Sequence, residues 1–442
     1  MIKIEFGEQE EKIKELHLAY YRQYIEPKIN QAIDEPNISF WKDKDCTKEC
    51  KKLVDQHRTF LKYVSQHICN FAIGSVEELD ELKRCIEADY FPRCEEAQQN
   101  DKELYVKVKE KKQTYIHYLQ QLFGYEEFKT KSFYEVVKSA AIAKRAKEKQ
   151  EKNSNTDITE LKKETYNSDV YEEMIKILYE SFPHKQEIFD SFPPKKSYLK
   201  NGEFEKVFQM LGNLDITYLN LHEHLAVFGG RWNPYYFVLL SGIRVCPYCN
   251  AQYITPILSP TGKMRADLDH FYPKGQYPYF SMSLFNLIPV CKSCNSSLKG
   301  EKELSSKVHP YKASVNDLFS FRVHLQTQQL QILQHHEVVR DYLELFKIEA
   351  TASYHAGQVE ELLFKQRAYP KSYLKELAAQ TRTTVRYVKT QAIGYVQDEK
   401  SLNDSTFAKL RRDVAKQLNF IEPIDDDTKA KLRKLAKQLG HE

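Results

Sequence analysis

Two Cys-x-x-Cys units constrain this chain more than anything else in it. Cys246-Pro247-Tyr248-Cys249 and Cys291-Lys292-Ser293-Cys294 are separated by 41 residues. Two residues between thiolates let one tight turn aim both sulfurs at a single ion, and two such turns complete a closed tetrahedral site of the structural zinc kind. A dithiol redox pair expects one such unit in a thioredoxin-like setting, and here there are two. A structural Zn2+ on Cys246, Cys249, Cys291 and Cys294 is therefore expected, contributing much of the folding energy of a small β-rich module. Nine Cys in 442 residues argue against a disulfide framework. The other five, Cys46, Cys50, Cys69, Cys85 and Cys94, read as buried or half-buried thiols.

The loop between the Cys pairs carries groups suited to hydrolysis. Asp267-Leu268-Asp269-His270-Phe271-Tyr272-Pro273-Lys274 lies mid-loop, Phe285-Asn286-Leu287-Ile288-Pro289-Val290 precedes the second pair, and Asn295 directly follows it, with Lys299-Gly300 beyond. Splitting a phosphodiester needs an activated water and a counter-charge for the phosphate and leaving oxygen. A neutral His270 can take a proton from water near neutral pH. Asp269 and Asn295 offer oxygen ligands to a hard cation, Mg2+ or Mn2+. Asp267 falls on the same strand face as Asp269 and can help position that ion. Asn286 is placed to orient or polarise His270. Lys274 and Lys299 are candidate phosphate contacts, weighed equally against solvated surface lysines. His309 reads as a packing residue, and His335-His336 as a surface pair.

Asp-His, then Asn-Leu-Ile-Pro-x-Cys-x-x-Cys-Asn, then Lys-Gly, closely resembles the HNH endonuclease motif with its ββα-metal fold. The resemblance implies that His270 is the general base, Asn286 the middle Asn, and Asn295 the last motif residue, ligating a catalytic divalent ion with Asp269. The Cys-Pro-Tyr-Cys-Asn opening and Asp-His-Phe-Tyr-Pro-Lys resemble a narrower group, the HNH nucleases paired with ATPases in Septu-type and retron phage-defence systems. One departure is Asn rather than His at the last motif position, which bears on metal preference. The motif covers about 60 of the 442 residues, and the flanks match no family.

The expected fold is mainly α with a small α+β insert: helical N- and C-terminal regions flanking a zinc-stabilised ββα-metal HNH module. Expected domains are a helical N-terminal domain over 1–152, a helical region over 158–240, the nuclease module with its four-cysteine zinc site over 241–310, and a mostly helical C-terminal domain over 311–442. Within the module, 251–255 reads as a strand, 259–262 as a turn, 264–269 as a returning strand, 286–290 as a short extended piece, and 295 onward as a helix. A strand pair is expected over 319–323 and 330–333. The aromatic run 231–240 reads as core packing. The basic stretch 129–152 reads as a solvated helix and loop in preference to an arm that touches phosphate backbone, and the end of the chain as a basic helix.

Net charge is +4. Residues 241–310 carry eight Lys/Arg against four Asp/Glu, so this stretch holds the whole excess. No apolar run approaches the ~20 residues of a membrane helix, and no signal-peptide pattern opens the chain. A cytoplasmic, non-membrane protein is expected. The leading reading is a metal-dependent endonuclease acting on nucleic acid, DNA ahead of RNA, as an effector of bacterial anti-phage defence. A defence ATPase or a second copy would bind through the helical regions, and the effector could stay silent until an ATPase releases it. The competing reading is a non-catalytic, zinc-held module that binds nucleic acid or protein.

Overall fold

The computed structural model describes residues 2–35, 39–41, 47–90, 105–108, 111–129, scattered positions within 141–177, and 232–258, 263–314, 318–393 and 400–418. These are mostly helical, with small antiparallel strand groups. The strands are β1 (Ser39–Trp41), β2 (Tyr105–Val108), β3 (Lys111–Thr114), β4 (Ile257–Leu258), β5 (Lys263–Met264), β6 (Asp267–His270), β7 (Leu287–Val290), β8 (Phe319–Val323) and β9 (Leu330–Gln334). β1–β2–β3 form one three-stranded sheet, and β4–β5, β6–β7 and β8–β9 form separate pairs. Among the described residues no helix is long and apolar enough to cross a membrane.

By compactness the chain divides into two units. One comprises Ile4–Arg244 with Ile254–Lys312, the other Met1–Lys3, Val245–Tyr253 and Ala313–Glu442. The first Cys turn thus belongs with the C-terminal region, and the expected module over 241–310 is not a block of its own. Hydrogen bonds explain this grouping. The Asn250 amide donates to the carbonyls of Leu402 (3.2 Å) and Ser405 (3.3 Å) and accepts from the Lys409 N–H at 3.0 Å. Tyr342 donates its hydroxyl to the Tyr248 carbonyl, and the Tyr248 ring stacks on Phe346 at 4.5 Å. Ile2, Val245, Leu402 and Ala408 close a buried apolar cluster in the same unit.

In the larger unit the aromatic run is core, as its composition suggests. Asn233 caps the helix Pro234–Ser241, its side chain accepting from Tyr235 N–H (3.0 Å) and Tyr236 N–H (3.2 Å), and Pro234 fits the first turn. Gly242, at φ 63°, ends the helix in a left-handed conformation that glycine adopts without strain. Trp232, Tyr236 and Phe237 are buried, and the Trp232 indole donates to Nδ1 of buried His17 at 3.0 Å.

β6 and β7 pair in the register Asp267↔Val290, Asp269↔Ile288 and His270↔Leu287. A loop folded into two short 3-10 turns, Pro278–Phe280 and Leu284–Asn286, connects them. A widened helical turn, Ser293–Lys299, follows the second Cys unit. The expected strand over 251–255 is reduced to a single bridge, Val245↔Tyr253. The returning strand is split into β5 and β6. β8 and β9 pair as expected. The sheet β1–β3 lies where only helix was expected, because β3, Lys-Lys-Gln-Thr, has no apolar alternation to announce it. The basic C-terminal stretch 429–437 and most of 158–231 lie outside the described residues. Of the basic 129–152 stretch, Lys144 and Arg145 pair with buried Glu173 at 2.8 and 3.1 Å.

Candidate metal centre and imidazole site

The four motif thiols, of Cys246, Cys249, Cys291 and Cys294, lie within 4.8 Å of one another. Four sulfurs at ~2.3 Å around one tetrahedral ion stand ~3.8 Å apart, so four thiols this close could hold a metal ion such as zinc. Backbone bonds form the first turn: Cys246 N–H to Gln252 O at 2.9 Å and Asn250 N–H to Cys246 O at 2.9 Å. The Ala251 N–H points at Cys249 Sγ, 3.4 Å away. Asn250 takes φ 52°, a left-handed position that Asn tolerates better than most residues. In the second turn, Asn295 N–H donates to Cys291 O at 3.0 Å and Gly300 N–H to Asn295 O at 2.9 Å. Gly300 ends that turn at φ 52° and ψ −127°, a conformation open essentially to glycine alone. Burial of Cys246, Cys291 and Cys294 matches a closed structural site. Among the other cysteines, Cys69 is exposed rather than buried, with Arg22 donating to its sulfur at 3.5 Å, and Cys85 is half-buried. Cys46 and Cys94 lie outside the described residues, as does the Cys50 side chain.

His270 ends β6, with 7% of its surface exposed. Its Nε2 stands 3.0 Å from the Ser281 carbonyl oxygen. A carbonyl only accepts, so Nε2 carries the proton and Nδ1 the lone pair, the tautomer a base at Nδ1 requires. The Tyr125 ring meets the imidazole edge-on, centroids 4.3 Å apart. Burial lowers the imidazole pKa to about 3, with the charges of Lys274 and Lys299 acting the same way and the Ser281 bond opposing them.

Asn286 is fully buried and holds the loop rather than touching the imidazole directly. Its amide donates to Tyr272 O (3.2 Å) and Phe280 O (2.9 Å), and its oxygen accepts from Tyr272 N–H (2.7 Å). Phe280 adjoins Ser281, so Asn286 sets the carbonyl that fixes the His270 tautomer.

The acidic and amide groups pair differently from expectation. The Lys299 ammonium donates to Asp269 Oδ1 at 3.2 Å and to the His270 carbonyl at 2.7 Å. Asn295 Nδ2 donates to Asp267 Oδ2 at 3.2 Å. Lys299 is 1% exposed and Asp269 2%, which corrects the reading of Lys299 as a surface phosphate contact. A buried ammonium requires a counter-charge, and Asp269 supplies it. Lys274 is occupied by Glu126 at 3.0 Å and lies over the Tyr125 ring, 5.0 Å from its centroid. His309 is buried against the Phe271 ring at 4.0 Å, a packing position. His335 and His336 are exposed.

Four contributors to this arrangement are absent from the sequence reading. The Ser281 carbonyl is backbone and leaves no side-chain signal. Tyr125 and Glu126 reach the site from far along the chain. The anchoring role of Asn250 had one cue, an Asn directly after a Cys turn, where a left-handed residue is commonly needed.

No family model matches the chain, and no solved structure does. A stretch of 78 residues, 17% of the chain, is 33% identical to protein ea31 of Escherichia phage lambda and covers 23% of that protein. The chain thus spans about a quarter of the length of this relative.

Proposed function

We propose that the chain is a metal-dependent endonuclease of the HNH type that hydrolyses phosphodiester bonds in nucleic acid, DNA ahead of RNA. The observation that carries this is His270. Its Nε2 proton is committed to the Ser281 carbonyl, leaving Nδ1 as the base; Asp267 and Asp269 share strand β6 with it, and Asn295 lies on the helical turn Ser293–Lys299. His270 takes the proton of the attacking water at Nδ1, and the Ser281 carbonyl holds the imidazolium that forms. Asn286 keeps that carbonyl in place. The four thiols would hold a structural zinc that ties the frame.

The buried Asp269 carboxylate already carries a stand-in cation, the Lys299 ammonium, so the position suits positive charge. Asp269 and Asn295, with Asp267 behind them, would hold a Mg2+ or Mn2+ ion, which supplies positive charge at the phosphate and the departing 3′-oxygen. Such an ion would take the place of the Lys299 ammonium as the counter-charge of Asp269. A role in anti-phage defence, with an ATPase partner, rests on the motif resemblance.

The burial of His270 favours a second reading, a zinc-held binding module without catalysis. Incubating wild type and His270→Ala with labelled DNA and RNA in Mg2+ or Mn2+ separates the two. Wild type is expected to cut internally, and loss of the base should slow cutting roughly 10²–10⁴-fold. Undiminished cleavage by a folded His270→Ala protein removes His270 as the base. Binding without strand breaks, indifferent to Mg2+, supports the second reading.

A further inference from the structure

The imidazole packs against the ring of Tyr125, itself a buried residue. Tyr125 follows Gly124, which stands at φ +73°, and a Cβ there would lie 3.4 Å from Ile25. This turn presents the Tyr125 ring to His270 at 4.3 Å. The Tyr125 hydroxyl reaches the Leu268 carbonyl only at 3.4 Å, a long bond. The backbone on either side is firm: Phe123 and Phe128 are buried, and Phe128 packs on Tyr20 at 5.3 Å. Next to Tyr125, Glu126 holds Lys274 at 3.0 Å, and that ammonium also sits over the Tyr125 ring. A cavity of about 520 Å³ opens alongside, lined in part by Gly124, Glu126, Tyr118 and Leu122.

We infer that Tyr125 is a gate over the His270 site, latched by the Glu126–Lys274 pair and opened when a phosphodiester strand draws Lys274 away from Glu126. With the ring down, the imidazole is shielded from a phosphate. With the ring turned toward the adjoining space, Nδ1 is uncovered while the anchored backbone stays in place. Lys274 passes from a carboxylate to a phosphate, an exchange between two anions. This inference rests on the nuclease reading, and its test carries a readout independent of cleavage.

The probe is diethyl pyrocarbonate, which acylates accessible neutral imidazoles, applied to the full-length protein and read at each His by peptide mass spectrometry. In wild type His270 should label far more slowly than exposed His335 and His336. Tyr125→Ala and Glu126→Gln should each raise His270 labelling several-fold, while buried His17, His57 and His309 stay protected. Tyr125→Phe keeps the ring and should label like wild type. Cleavage that depends on His270 should rise in Tyr125→Ala and Glu126→Gln. Unchanged His270 labelling in both variants, or wild-type labelling as fast as at His335, overturns the gate, as does faster labelling with slower cleavage. If Tyr125→Ala exposes all four buried histidines it has unfolded, and Glu126→Gln alone decides. If labelling opens as expected but no variant cleaves, the cover is real and the nuclease reading falls.

Discussion

An ammonium shut away from water must find oxygen, and Lys299 has found two, the Asp269 carboxylate and the His270 carbonyl. Removing one partner of such a pair strands the other charge. Lys299→Met should therefore cost roughly 3–5 kcal/mol of stability, seen as a lower urea midpoint. Adding Asp269→Asn should recover part of it, since a neutral amide needs no counter-ion. A Lys299→Met protein as stable as wild type would mean that the pair contributes little. The same residues show what a sequence can and cannot disclose. The Cys pairs and the Asp-His step are readable because their chemistry is carried by side chains at fixed short spacing. Lys299 is not, because Lys-Gly after a Cys turn looks the same whether the amine faces water or a buried carboxylate. Tyr125 is not, because it lies 145 residues from His270 and only the folded chain brings them together.

The loop between β6 and β7 behaves as an element in its own right. It has little regular structure, and Asn286 replaces what a sheet ladder would provide with three side-chain bonds to its backbone. Asn286→Ala leaves two carbonyls and one N–H without these partners in a buried setting, a loss of about 3 kcal/mol. Hydrogen exchange should locate the damage: the Tyr272 amide, which donates to Asn286, should lose protection first. Equal protection at Tyr272 in the two proteins would contradict this account. The strands themselves were partly legible. β8 and β9 alternate or carry enough branched and aromatic residues to stand out, whereas β3, Lys-Lys-Gln-Thr, does not. The loop's turns depend on carbonyls that periodicity cannot see.

At the scale of the whole molecule, the thiol cluster is the test of construction. A zinc-held frame predicts about one zinc per chain by metal analysis. Stripping it with a strong chelator, or replacing Cys291 with Ser, should lower the melting temperature, because ion binding to the folded thiolates is also folding free energy. A metal-free protein that melts as before would show that the thiols pack without an ion. The chain divides into two units that are each discontinuous in sequence. Continuity along a chain is a poor guide to compactness when a nine-residue segment, 245–253, is drawn into the C-terminal unit by bonds to residues 402–409.

Those Asn250 bonds have a consequence during synthesis. A ribosome makes the first Cys turn more than 150 residues before its last anchoring partner, Lys409. Until that helix has emerged, the turn lacks the scaffold that steadies it. A site built this way is completed only after the helix that carries Lys409 has been made.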